Sequence, residues 1–101
     1  MKCHSHNAFF DTISTATRLD ILELLKEKPM SVSEIVKALG EEQSNISHNL
    51  KCLVDCHFLE VKRDGKKRIY SLNKETILPL LQLAEKHVQK YCCKECNKKH
   101  D

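Results

Sequence analysis

The chain has 101 residues, 41% hydrophobic and 31% charged, with a formal net charge of +3, no Trp and only 5% aromatics. That length allows one small domain, of a size that often gains stability by oligomerising, and so few aromatics speak against an aromatic-lined small-molecule pocket. No apolar run approaches the ~20 residues of a membrane span, and MKCHSHNAFF lacks the apolar core of a signal peptide; the expectation is a cytoplasmic protein with no membrane contact.

Taken in chain order, a first helix is expected over about 6–15. Thr17 or Ser14 caps the next, whose Leu19, Ile21, Leu22, Leu24 and Leu25 run towards Lys28, and Pro29 stops it. Ser31 and Glu34 form a capping box, S-x-x-E. Ile35, Val36 and Leu39 follow at helical spacing, and Gly40 ends that short helix as a left-handed cap. A further helix begins near Gln43 or Ser44 and carries Ile46, Leu50, Leu53 and Val54 on one face. Two short helices joined by a tight turn, the second with a polar outer face, describe a helix-turn-helix.

The period then changes from helical to alternating. Leu59, Val61 and Arg63 alternate with polar neighbours, Asp64-Gly65 signals a hairpin turn, and Ile69, Tyr70 and Leu72 lie on the returning strand. The hairpin stretch KRDGKKR at 62–68 holds five bases and one acid. By charge alone it is a solvated tip; behind a helix-turn-helix it is a basic wing. The fold class is therefore mainly α with a small β-hairpin (α+β), a winged helix-turn-helix. A closing helix is expected over roughly 74–91, with Ile77, Leu80, Leu81, Ala84, Val88 and Tyr91 in one stripe and Leu78 and Leu83 outside it. A terminal helix apolar on more than one side has too little chain around it here, so a homodimer through terminal helices is expected.

Rotation by about 100° per residue puts Ser44, His48 and Lys51 opposite the apolar face, with Gln43, Asn45 and Ser47 near the helix N-terminus, the end that enters the major groove. Gln and Asn suit adenine edges, Ser suits base or phosphate, and Lys51 suits phosphate. On the wing, Arg63, Lys66, Lys67 and Arg68 suit phosphate or the minor groove. Double-stranded DNA of approximate two-fold symmetry is the expected partner of the dimer.

Six cysteines stand at Cys3, Cys52, Cys56, Cys92, Cys93 and Cys96. Without signs of secretion they are expected to be reduced, serving metal binding or redox sensing. Cys52 and Cys56 fall on the helix flank beside Asn45 and Asn49, and i, i+4 spacing brings their Cβ atoms about 5–6 Å apart. Two thiolates there reach one soft ion, whereas a disulfide would pull both out of helical geometry; a buried apolar pair is the plainer alternative. Further ligands are offered by the tail, Cys92, Cys93 and Cys96, and behind these by the head, Cys3, His4 and His6. The division is an N-terminal arm over 1–7 expected to be mobile, a DNA-binding and dimerisation domain over 8–91, and a Cys-rich tail over 92–101.

TATRLDILELL followed by SVSEIVKALGEEQSNISHNLKCLVDCHFLEVKRDGKKRIYSL resembles the ArsR/SmtB family of metal-responsive repressors over about positions 9–73. The resemblance implies a winged-helix homodimer that leaves operator DNA when a metal binds. It also implies that Cys52-Leu53-Val54-Asp55-Cys56 matches the C-x-x-x-C pair of cadmium- and lead-sensing members, completed by Cys92, Cys93 or Cys96. Arsenic-sensing members place cysteines near the closing helix, so CCKEC alone is an alternative As(III) site. One departure is His57, where the family has Gly in the left-handed region, a conformation His tolerates better than most residues. Two family sites are missing: SVSEIV carries no thiol, and the closing helix has only His87, read as a core histidine, which speaks against a zinc sensor of the SmtB type. Thiolates select soft ions, Cd(II) or Pb(II) first, then As(III), Hg(II), Cu(I) or Zn(II). A thiol redox switch on the same fold and a metal-trafficking protein are the rival readings, and an enzyme is not expected.

Overall fold

The computed structural model describes residues 5–92, and of Cys92 its backbone alone. Ser5 caps α1 (His6–Ile13), its Oγ accepting from the Ala8 amide at 3.1 Å. The helix stops short of the expected residue 15, where Ser14 Oγ turns back to donate to Asp11 O. The cap of α2 (Ala16–Leu25) is Thr15 and not Ser14 or Thr17, whose hydroxyls are committed elsewhere, Thr17 to Glu41 at 3.2 Å. Ile21, Leu22 and Leu25 of α2 are buried.

Met30–Ser31 forms a two-residue strand, β1, too short for any alternation to announce it. Ser31 also caps α3 (Val32–Leu39): its Oγ accepts from Glu34 N, and its own N–H donates to Glu34 Oε1 at 2.9 Å. That backbone bond holds the Glu34 carboxyl below its ordinary pKa range. Gly40 ends the helix at φ +70°, its N–H on Val36 O, as expected of a left-handed cap.

Helix α4 spans Gln43–Asp55 and sinks Ile46, Leu50 and Leu53 completely, with Val54 half-buried at the edge. The chain leaves it through Cys56 and His57, the latter at φ +66°. His57 N–H bonds Val54 O and Phe58 N–H bonds Leu53 O, the paired bonds of a Schellman turn. Its usual apolar seal is present, since Leu53 and Phe58 are both buried. The left-handed His57 foreseen in the sequence is therefore the hinge that turns the chain into the wing.

The wing pairs β2 (Leu59–Asp64) with β3 (Lys67–Leu72), register Leu59 to Leu72 through Asp64 to Lys67. Gly65 takes φ +66°, as the first central position of a two-residue hairpin loop requires. β1 adds to the other edge of β3, so the sheet has three strands in the order β1-β3-β2, one more than the expected hairpin.

The closing helix, α5, runs Ile77–His87 and continues as one π-helical turn, Val88–Cys92, shorter than the single helix expected from 74. Asn73 sets its start: Oδ1 accepts from the Glu75 and Thr76 amides while Nδ2 donates to His57 O. Only the first turns of α5 enter the core, through Ile77 and Leu81. Beyond them Leu83, Val88 and Tyr91 are 66, 50 and 61% exposed. His87 is exposed as well, 5.0 Å from the Tyr91 ring, so it is not the core histidine expected. Lys26 ties this overhang to α2 through Glu85 (2.9 Å) and Glu23 (3.1 Å), bonds that raise its pKa.

Candidate nucleic-acid and metal interface

Every DNA-facing candidate on α4 is exposed: Gln43, Ser44, Asn45, Ser47, His48 and Lys51. The same holds for Arg63, Lys66, Lys67 and Arg68 on the wing. Residues directly opposed across β2 and β3 share a face, so Leu59 with Leu72, Val61 with Tyr70 and Arg63 with Arg68 form one side of the ribbon. Between that side and α4 lies a groove of about 440 Å³ lined by Ser47, Lys51, Val54, Asp55, Val61, Arg68 and Tyr70, with Val32 at its end. It joins the two sets of residues that sequence spacing assigned separately.

Two features of this face carry electrostatic meaning. Arg63 stands directly opposite Arg68, and like charges so placed destabilise a hairpin. An anion lying along the wing relieves that repulsion. Lys51 shares its charge with Asp55 at 3.3 Å, a pair exposed enough to part for a phosphate at little cost.

The other flank of α4 is built differently. Asn49 is 6% exposed although the sequence gives it a polar side chain. Its Oδ1 accepts from Arg18 Nε at 2.9 Å and its Nδ2 donates to Asn45 O at 2.9 Å. Asn45, expected to read a base, donates its Nδ2 to Glu41 Oε1 at 2.6 Å. Arg18 stands in the quoted TATRLDILELL stretch, but its partner is 31 residues away, so no local signal disclosed the bond.

Cys52 and Cys56 continue that flank, both half-buried. Cys56 caps α4 at φ −94° and ψ 8°, just outside helical geometry, yet its N–H still bonds Cys52 O at 3.1 Å, so the two residues stack over one turn. His6 is exposed at the start of α1, and Cys92 ends the π-helical turn. Cys3, His4, Cys93 and Cys96 lie outside the described residues. Among the described residues no three or more of His, Cys, Asp and Glu gather as a metal site, and no helix is long and apolar enough to cross a membrane.

The family described as "Bacterial regulatory protein, arsR family" matches residues 15–61, the span from the cap of α2 into the wing. The chain belongs to the arsR family of bacterial regulatory proteins. It is 36% identical over 76 residues to a probable mercury resistance operon repressor of Streptomyces lividans, covering 75% of this chain and 61% of that protein. The match thus spans about three fifths of that relative's length. The crystal structure of Rv0081 from Mycobacterium tuberculosis superposes with a TM-score of 0.78 at 36% identity, over 83% of this chain and 85% of that one. A homodimeric winged helix-turn-helix DNA-binding domain from Mycobacterium bovis superposes with a TM-score of 0.71 at 27% identity, over 81% and 80% of the two chains. The fold is a winged helix-turn-helix, and the family is one of transcriptional regulators and not of enzymes.

Proposed function

We propose that this chain is a metal-responsive transcriptional repressor of the cytoplasm, which binds operator DNA of approximate two-fold symmetry as a homodimer and is released by a soft thiophilic ion. One observation carries this reading. The DNA-reading side of α4 is exposed beside a basic wing, while the opposite flank stacks Cys52 on Cys56 one helical turn apart. The two functions are thus on one helix and on different sides of it. Relatedness to a probable mercury resistance operon repressor supports a soft metal as the signal, and the exposed apolar overhang of α5 supports pairing with a second copy.

In the metal-free dimer, Gln43, Ser44, Ser47 and His48 address base edges, and Lys51, Arg63, Lys66, Lys67 and Arg68 hold phosphates. Cys52 and Cys56 supply two thiolates to the ion, and the tail over 92–101 supplies the completing sulfur from Cys92, Cys93 or Cys96. Three thiolates around a divalent ion carry a net charge of −1 close to the DNA-binding helix, which opposes phosphate and shifts α4. Cd(II) and Pb(II) are the favoured ions because the site is all sulfur.

The test is titration of reduced, metal-free protein with Cd(II), Pb(II) and As(III), followed by sulfur-to-metal charge-transfer absorption. Cd(II) or Pb(II) bound by three or four sulfurs per subunit, with loss of the band in Cys52→Ser and Cys56→Ser, is expected. As(III) binding that needs only Cys92, Cys93 and Cys96 would move the site to the tail. Release of DNA by thiol oxidation in metal-free buffer, with no metal effect, would replace metal sensing by a redox switch.

A further inference from the structure

The stripe of α4 that carries the thiols runs on towards the helix N-terminus as Cys56, Cys52, Asn49 and Asn45, in steps of three or four residues. Its N-terminal half is bound to the body of the domain by a continuous set of polar contacts. Thr17 Oγ1 donates to both Glu41 carboxylate oxygens at 3.2 Å. Glu41 accepts from Asn45, Asn45 accepts from Asn49 through its carbonyl and its Oδ1 (2.9 and 3.3 Å), and Asn49 accepts from Arg18. Arg18 Nη1 finally reaches Thr12 O at the end of α1, at 3.3 Å.

The physics of this set makes it costly to break. Asn49 is buried, so losing a partner leaves a desolvated amide and not a solvated one. Arg18 bonds two elements at once with a rigid fork, which a flexible ammonium does not reproduce. Moving α4 over α2 therefore costs these bonds together. The set also holds the Asn45 amide on Glu41, at the very end of the helix that reads DNA.

We infer that Arg18 is a positioning residue for regulation: its guanidinium, acting through Asn49 and Asn45, links the Cys52–Cys56 stripe to the DNA-reading end of α4. An ion gripping the thiols displaces the flank one turn from Asn49, opens the Arg18 clamp and changes what the N-terminal turn presents to DNA. This rests on the metal-responsive reading above. Arg18 is on α2, outside both the thiol set and the DNA-facing set.

The experiment measures the ratio of DNA affinities without and with Cd(II), by anisotropy on a duplex selected by the metal-free protein. Arg18→Ala and Asn49→Ala are expected to fold, to keep the Cd(II) charge-transfer band, and to lower the ratio from its wild-type value of about 5–150 most of the way to one. The double variant is expected to lose no more than either single, as groups acting in one unit do. Arg18→Lys keeps the charge and most of the stem, yet is expected to behave like Arg18→Ala; it also carries the test if the alanine variant fails to fold. Ile35→Val, a core change in α3, is expected to keep the wild-type ratio while lowering the melting temperature. A wild-type ratio in folded Arg18→Ala, a lysine variant that behaves as wild type, or an equal loss in Ile35→Val would each overturn the clamp. A ratio of one in the wild type would instead sink the metal-responsive reading, and the coupling with it.

Discussion

The two flanks of α4 are made from the same helix and the same few residue types, yet they are held in opposite ways. On the wing side the polar residues reach solvent, Lys51 is paired only with the exposed Asp55, and Arg63 stands against Arg68 with its like charge. On the α2 side Asn49 is buried and bonded at both ends, and the thiols beside it are half-covered. The lesson is that an unsatisfied surface marks the side that meets a ligand of opposite charge, and a satisfied one marks the side whose disturbance can be transmitted. Both depend on the apolar third face, Ile46, Leu50 and Leu53.

The most severe break removes that shared support. Leu50→Ala, at a fully buried position, is expected to cost about 2–5 kcal/mol, and urea unfolding should show DNA binding and structure lost together. If DNA binding outlasted structure, the flanks would not share one base. Next come changes confined to the open flank. Arg63→Ala or Arg68→Ala should weaken DNA binding on all sequences and lower the slope of log K against log salt by about 1. The same variants should stabilise the metal-free, DNA-free protein by roughly 0.2–1 kcal/mol, since one of two opposed like charges is gone. A wing arginine that weakened DNA binding and stability alike would be a structural residue.

Smaller effects are expected at the cap of α3, which sits beside the wing. Ser31→Ala removes the cap of α3 and is expected to cost about 1 kcal/mol in thermal unfolding, with the salt slope unchanged. The least is a matter of pH. Glu34 has its folded-state pKa lowered by the Ser31 amide. Its contribution is thus complete above the ordinary carboxylate pKa and is lost as pH falls through the lowered value. Comparing stability from about pH 6 to about pH 3, Glu34→Gln should flatten that acid-side decline.

Much of this was readable in the chain because it is local. The capping box at Ser31, the left-handed Gly40, the hairpin at Gly65 and the buried face of α4 each depend on neighbours within a few positions, whereas the left-handed His57 was implied by the family resemblance. What escaped was tertiary. Thr17 looked like a cap, but its hydroxyl goes to Glu41, 24 residues on. Asn49 looked like a flank residue and is buried because Arg18 reaches it. The start of α5 moved to Ile77 because Asn73 takes the Glu75 and Thr76 amides for its own turn. His87 shares a helix with apolar residues, but the helix runs past the body that would have covered it. Of the candidate site, the exposed polar face of α4 and the stacking of Cys52 and Cys56 followed from helical period, whereas the groove joining α4 to the wing needed the fold.

The most direct test of the central claim is the affinity of the reduced, metal-free protein for its selected duplex, measured with and without Cd(II) in the wild type and in Cys52→Ser/Cys56→Ser. The account predicts that Cd(II) weakens wild-type binding by about 5–150-fold, and that the double variant binds the duplex as tightly as the metal-free wild type and ignores the ion. A double variant that still released DNA with Cd(II) would contradict it and take the switch away from the recognition helix.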